Sequence, residues 1–305
     1  MSYFTLECGE KLYYEEHGSG DRTLVLLHGW TSSHEIFSDP VKTLSKQVRC
    51  ILYDHRGHGE SKEAAGDHVD METLADDLRE LLTGLKAKRT ILCGWSMGAG
   101  VIMEYLKKYG DADLEQIVLC DMTPKQVNED GWHLGLHKGK YTREQAEAEK
   151  EQPFLEMFRT FSIATVPLTG KLPPNILEHV LKRRLKKCNE EVLKQLAASM
   201  KEIDCRDAFQ SLHVPLTYFY PDPGSLFPPE LVIWYREHIP TRFRAVRFKG
   251  CTHLLIEERP MKFTEEMLRV INWTGRLKEV PKAVKEVPKA VKGAPKAVKG
   301  VARSV

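Results

Sequence analysis

Apolar residues along this chain fall into two alternating rhythms up to about residue 121, and the same alternation returns after residue 213. One rhythm is a short, unbroken apolar run, as in Thr23–Leu27, Arg49–Tyr53, Ile91–Cys93 and Gln116–Cys120. A strand covered on both faces has no solvent side to show as polar alternation, so these runs predict buried strands. The other rhythm is helical. Leu74, Leu78, Leu81, Leu82 and Leu85 recur at three- and four-residue steps with Asp76, Asp77, Arg79 and Glu80 between them, which predicts a helix packed on a sheet. Ala99 to Tyr109 reads as a second helix. At the start, Tyr3–Leu6 and Leu12–Glu15 flank Cys8-Gly9-Glu10, the layout of a β-hairpin. Strands that alternate with helices predict an α/β fold, with a mostly parallel central sheet and helices on both faces.

From Met122 to about Leu212 the rhythm stops. Trp132, Phe154, Met157, Phe158, Phe161 and Met200 are set among many Lys and Glu, with proline breaks at Pro167 and Pro173-Pro174. This predicts a set of helices able to lie over the strand ends as a cap, its apolar residues either lining a substrate pocket or packing a small core of their own. The sheet pattern resumes at Pro215–Tyr220. A turn-rich loop, Pro221-Asp222-Pro223-Gly224-Ser225, is expected next, then a helix through Leu231, Trp234 and Tyr235, a last strand at Arg244–Phe248, and a closing helix from Glu258-Arg259-Pro260 to Trp273. The expected organisation is a core of 1–121 and 213–277, a helical cap of 122–212, and a tail of 278–305. That tail is four seven-residue units with eight Lys or Arg against two Glu, and proline interrupts three of them. It reads as a solvated, disordered segment, or as a basic tether to an anionic surface.

Composition narrows the setting. The 305 residues are 42% hydrophobic and 29% charged, the balance of a soluble globular protein able to bury a sizeable core. No stretch approaches the ~18 apolar residues of a membrane span, and the N-terminal residues lack a secretory layout, so a cytoplasmic protein is expected. Seven cysteines without C-x-x-C spacing suggest buried thiols rather than disulfides or a zinc site.

The chemistry centres on Leu92-Cys93-Gly94-Trp95-Ser96-Met97-Gly98-Ala99-Gly100. In G-x-S-x-G the chain turns so sharply from strand to helix that a side chain at either flanking glycine would collide with a neighbour. A strand before and a helix after Ser96 match that context, against a plain Gly-Ser-Gly turn. His28-Gly29-Trp30 follows a buried strand, where Gly29 lets the backbone turn and the N–H of Trp30 could face a ligand beside Ser96. In Asp54-His55-Arg56-Gly57-His58-Gly59-Glu60-Ser61 the two histidines flank a glycine-rich turn and share no helical face, so a structural loop is favoured over a metal site.

His28-Gly29-Trp30, Asp54-x-Arg56-Gly57-x-Gly59-x-Ser61, Gly94-Trp95-Ser96-Met97-Gly98, and Gly250-x-x-His253 with Glu258-x-Pro260 occur in that order. In this the chain resembles the α/β-hydrolase superfamily, and within it the small cap-bearing serine hydrolases that include esterases, cofactor-free haloperoxidase-like enzymes and carbon–carbon bond hydrolases. The resemblance implies a Ser96 nucleophile, a His253 base and an oxyanion hole from the N–H groups of Trp30 and Met97. Nothing in that scheme needs a metal or organic cofactor; a small acyl substrate and no nucleic-acid partner are expected. The departure lies in the triad acid: where the family usually has an aspartate, this chain has Gly224. Asp121, 25 residues after Ser96 at the end of the next strand, occupies the place that some relatives use instead, and Asp222 is the alternative. A serine esterase is therefore expected. A non-catalytic ligand receptor on the same scaffold is the competing class, and perhydrolase or carbon–carbon cleavage is an alternative chemistry for the same three residues.

Overall fold

The structure is a computed structural model that describes residues 2–273, so the repeat tail expected at 278–305 lies outside the described residues. Eight strands form one sheet: β1 Ser2–Thr5, β2 Lys11–His17, β3 Thr23–Leu27, β4 Arg49–Tyr53, β5 Thr90–Trp95, β6 Leu114–Cys120, β7 Leu216–Pro223 and β8 Phe243–Cys251. Their order is β1-β2-β4-β3-β5-β6-β7-β8. Only the expected N-terminal hairpin and its junction with β4 are antiparallel, and every pairing from β4 to β8 is parallel.

Successive strand residues point to opposite faces, and the unbroken apolar runs follow from both faces being covered. Val25, Leu27, Ile51, Leu92, Ile117 and Leu119 pack on one face, against helices α2 Met71–Gly84 and α3 Met97–Tyr109. Leu24, Leu26, Leu52, Ile91, Val118 and Phe219 pack on the other, where α1 Ser38–Leu44 supplies Val41 and Leu44. The C-terminal helix Pro260–Ile271 completes that second layer with Phe263, Met267 and Val270. Helix α2 begins three residues before the leucine pattern does. Asp70 caps it by accepting a 2.7 Å hydrogen bond from the Thr73 N–H.

Between β6 and β7 the chain leaves the sheet and forms a short turn α4 Leu136–Gly139, then α5 Arg143–Lys150, α6 Phe154–Thr165, α7 Pro174–Leu185 and α8 Glu190–Glu202. The prolines act where helices start: Pro167 opens a 3-10 turn, and Pro174 is the first residue of α7, a place where its missing N–H costs nothing. After β7 come α9 Glu230–His238, the single turn α10 Leu255–Glu258 and α11 Pro260–Ile271.

One expectation needs correcting. Pro221-Asp222-Pro223 is not a loop but the end of β7, in register with Phe248, Lys249 and Cys251 of β8. The prolines fit because β6 pairs with β7 only as far as Phe219, so the remainder of β7 has a partner on one side and needs no second row of N–H donors. The cysteines are all free; six are buried as expected, but Cys8 is exposed.

Candidate active site

Ser96 stands between β5 and α3 with φ 54° and ψ −121°, a conformation that costs a non-glycine residue about 1–3 kcal/mol. Its two glycines let the surrounding structure hold it there. A Cβ on Gly94 would come within 2.4 Å of the Gly98 carbonyl oxygen, and one on Gly98 within 2.4 Å of the Leu27 carbonyl oxygen at the end of β3. The Ser96 N–H donates to the Cys120 carbonyl at 2.9 Å, which ties the turn to the end of β6.

His253 follows β8 and is almost fully buried. Its Nε2 is 2.9 Å from Ser96 Oγ, and its Nδ1 is 2.6 Å from Asp121 Oδ2. Glu258 holds the approach to His253: its two carboxylate oxygens accept from the N–H and the hydroxyl of Thr252, each at 2.7 Å. The Trp95 indole N–H donates to the His253 carbonyl at 2.9 Å, so both ends of the imidazole-bearing residue are fixed.

Asp121 is fully buried, at φ 45°, a left-handed backbone that aspartate tolerates better than most residues. Ser225 donates its hydroxyl to Asp121 Oδ1 at 2.6 Å, and the Leu226 N–H reaches Oδ2 at 3.4 Å. The structure thus brings Ser96, His253 and Asp121 into one hydrogen-bonded line. It does not bring Asp222 there: the Asp222 carboxylate, partly exposed, pairs with Arg247 on β8. Nor could a carboxylate stand at position 224, because a Cβ on Gly224 would lie 2.2 Å from the Cys251 carbonyl oxygen and 2.5 Å from Thr252 Cα.

Gly29 packs so tightly on the elbow that a Cβ there would be 2.8 Å from the Trp95 ring and 3.1 Å from Ser96 Cβ, which sets the backbone of Trp30 beside the serine. Met97, on the other side, is the first residue of α3. The Trp30 indole turns away into the helical insertion. It donates to the Leu193 carbonyl at 3.1 Å and meets Phe154, Phe158 and Phe161 edge to face. Ser96 opens into a cavity of about 80 Å³, walled by Trp30, Met157, Phe161, Met200 and Phe227. A single water takes about 10–15 Å³ of such space, so the cavity suits a slim, small group.

The Asp54–Ser61 segment is a self-supporting loop. Asp54 accepts from the N–H groups of His34 at 2.6 Å and Glu60 at 2.8 Å, and Gly59 lies where a Cβ would strike its carboxylate. Arg56 makes a buried two-pronged pair with Asp77 of α2, both contacts at 2.7 Å. His55 and His58 are buried within it, and no cluster of three or more His, Cys, Asp or Glu among the described residues is arranged to hold a metal ion.

Sequence reasoning missed Ser225, which has no motif of its own and reaches Asp121 only because the sheet brings residues 104 apart together. It also missed the anchoring role of the Trp30 indole. For Glu258 a signal existed in the Glu258-x-Pro260 signature.

Comparison with known proteins adds an independent line. A family model described as alpha/beta hydrolase fold matches residues 22–260. The chain is 34% identical over 125 residues to a non-heme chloroperoxidase of Kitasatospora aureofaciens, a match covering 41% of this chain and 45% of that protein, so it spans about half of that relative's length. It is 24% identical over 262 residues to the pimeloyl-[acyl-carrier protein] methyl ester esterase of Nitrosospira multiformis, covering 85% of this chain and 97% of that enzyme. An esterase structure from Exiguobacterium antarcticum superposes with a TM-score of 0.75 over 89% of this chain and 99% of the other, at 24% identity, a likeness of fold.

Proposed function

The chain belongs to the alpha/beta hydrolase fold family, and we propose that it is a serine hydrolase that cleaves a small ester or related acyl substrate through an acyl-enzyme on Ser96. The observation that carries this reading is the continuous line from Ser96 Oγ through His253 to Asp121, at 2.9 and 2.6 Å. The esterase and haloperoxidase relatives support the same chemistry.

In the proposed reaction, His253 Nε2 takes the hydroxyl proton as Ser96 Oγ bonds to the acyl carbon, and the carbonyl electron pair moves onto oxygen. The backbone N–H groups of Trp30 and Met97 stabilise that oxyanion, a contribution of about 10²–10³ in rate for a typical donor. The intermediate collapses, the C–O bond to the leaving group breaks, and the departing oxygen takes the proton from His253. A water activated by the same imidazole then releases the acid. Asp121 accepts from His253 Nδ1–H throughout, fixing the tautomer and stabilising the imidazolium.

Residues 122–212 are the proposed cap, supplying the cavity wall opposite the elbow and so setting which acyl groups fit. The free thiols are in keeping with a reducing, cytoplasmic setting, and no described helix is long and apolar enough to cross a membrane. Gly224, which leaves the usual acid position empty, is what favours a non-catalytic receptor; the buried carboxylate of Asp121 beside His253 supports the hydrolase instead. The test is a chromogenic short-chain ester with stoichiometric phosphonate labelling. A burst of alcohol and label on Ser96 are expected, and Ser96→Ala should lose roughly 10⁴ or more in turnover. Label on any other residue, or undiminished turnover in the variant, would overturn the assignment.

A further inference from the structure

The cap carries a charged and apolar surface that the hydrolytic scheme does not use. From Met157 to Asn189 the only acid is Glu178, against Arg159, Lys171, Lys182, Arg183, Arg184, Lys186 and Lys187, in a chain whose net charge is only +2. The same segment shows solvent its large aliphatic side chains: Leu168 is 68% exposed, Leu172 36%, Ile176 47% and Val180 44%, half of the large hydrophobics exposed anywhere among the described residues. Ile176 and Val180 lie one turn apart on α7, and Leu168 and Leu172 lie in the 3-10 turn and the link just before it. On α7, Leu177 and Leu181 face inward while Ile176, His179, Val180 and Arg183 face out, so the helix turns an aliphatic stripe to water by arrangement and not by fraying.

Cations bracket that stripe. Lys171 lies near its start, and Arg183 and Lys186 lie at its end; none of the three pairs with a carboxylate among the described residues, whereas Lys182 is held by Glu178 and Lys187 by Glu35. The stripe also adjoins the cavity. Met157, Thr160, Phe161 and Ala164 of α6 line the cavity, Ala164 is itself exposed, and the chain runs from it directly into Pro167 and Leu168.

We propose that this strip docks the protein on an anionic lipid surface, with the mouth of the cavity beside the contact. Aliphatic side chains between cationic flanks match a bilayer interface, where the side chains enter the acyl boundary and the cations meet phosphate headgroups. An acidic protein partner would account for the cations but not for four exposed aliphatic residues without an exposed aromatic anchor. Pro167, Pro173 and Pro174 restrict the backbone of the strip, so less conformational freedom is lost on contact.

The inference goes beyond the hydrolytic scheme, and its readout needs no turnover. The full chain is sedimented with vesicles of phosphatidylcholine, with or without phosphatidylglycerol, and compared with the double variant Leu172→Asp, Ile176→Asp. Both proteins keep residues 278–305, so cations there contribute equally. The wild type is expected to partition onto the mixed vesicles and weakly onto phosphatidylcholine alone, and the double variant to lose at least about tenfold in partitioning. Its turnover of a soluble short ester should stay unchanged. Should that variant lose its circular dichroism, Arg183→Gln with Lys186→Gln decides instead, with the loss confined to anionic vesicles. Vesicle binding equal to wild type in the folded variant, or no binding by the wild type, overturns the proposal. Binding to polyglutamate beads but not to vesicles overturns it too, and reassigns the strip to an acidic protein.

Discussion

Asp121 receives three donors, and each has a distinct part in keeping a buried carboxylate in place. The imidazole at 2.6 Å takes Oδ2, while the Ser225 hydroxyl at 2.6 Å takes Oδ1. Asp121→Asn should cut turnover by up to ~10⁴, as the same change does in a protease triad, while Asp222→Asn should leave it within about twofold because that carboxylate serves Arg247. Steady-state kinetics on one chromogenic ester decides the matter, and the reverse pattern would sink it. Ser225→Ala removes a donor from the carboxylate, worth about tenfold in turnover for a hydrogen bond to a charged group. Ser225→Thr, which keeps the hydroxyl, should recover most of that turnover, and equal losses in the two variants would mean that the hydroxyl is not what matters. Ser96 was legible in the sequence because the turn demands Gly94 and Gly98 beside it, and His253 through the Gly250-x-x-His253 signature of the resemblance. Ser225 was not, since its task is set by a partner on another strand.

Elements were legible where one periodicity ruled and blurred where backbone satisfaction decided. The run Thr23–Leu27 is β3 residue for residue, yet α3 starts at Met97 and not at Ala99, because the turn at Ser96 already supplies its first carbonyl acceptor. The end of β7 was hidden by its prolines, which read as a loop until the one-sided pairing is known. The elbow also separates two ways a glycine can matter. Gly98→Ala would press a methyl against the Leu27 carbonyl, whereas Gly110, at φ 69° with nothing within 4 Å, carries conformational strain alone. Urea unfolding should show Gly98→Ala losing clearly more than Gly110→Ala, roughly 3 kcal/mol or more by overpacking against about 1–2 kcal/mol. Equal losses would mean that the elbow relaxes freely.

At the scale of the whole molecule, buried histidines set a limit on acid tolerance. Burial, with repulsion from its two neighbours, holds the His28 imidazole well below its usual range. Burial likewise brings His55 down to about 3 and His58 to about 4. All three are neutral when folded and free to take protons when unfolded, so the stability they allow is present above pH ~6.5 and lost as pH falls from there toward 4. His34 acts oppositely: burial lowers it, but the hydrogen bond and charge of Asp54 outweigh that and raise it, so its contribution fades as pH rises. The three histidines are opposed by His34 and by the carboxyls of Asp77 and Glu257, which burial pushes up, Asp77 to about 6; the larger depression of the histidines predicts a melting temperature that falls below pH 6.5, and a flat profile from 7 to 4.5 would contradict it. Trp30 joins the proposed oxyanion donor to the proposed cap, because the residue proposed to supply that N–H has its indole wedged among Phe154, Phe158 and Phe161. In the proposed reaction, an acyl group that pushed α6 aside would shift Trp30 and its N–H with it. Selectivity would then be a matter of tempo more than of grip: ill-fitting substrates enter and stay, but react slowly, and discrimination falls on kcat where a rigid pocket would place it on KM.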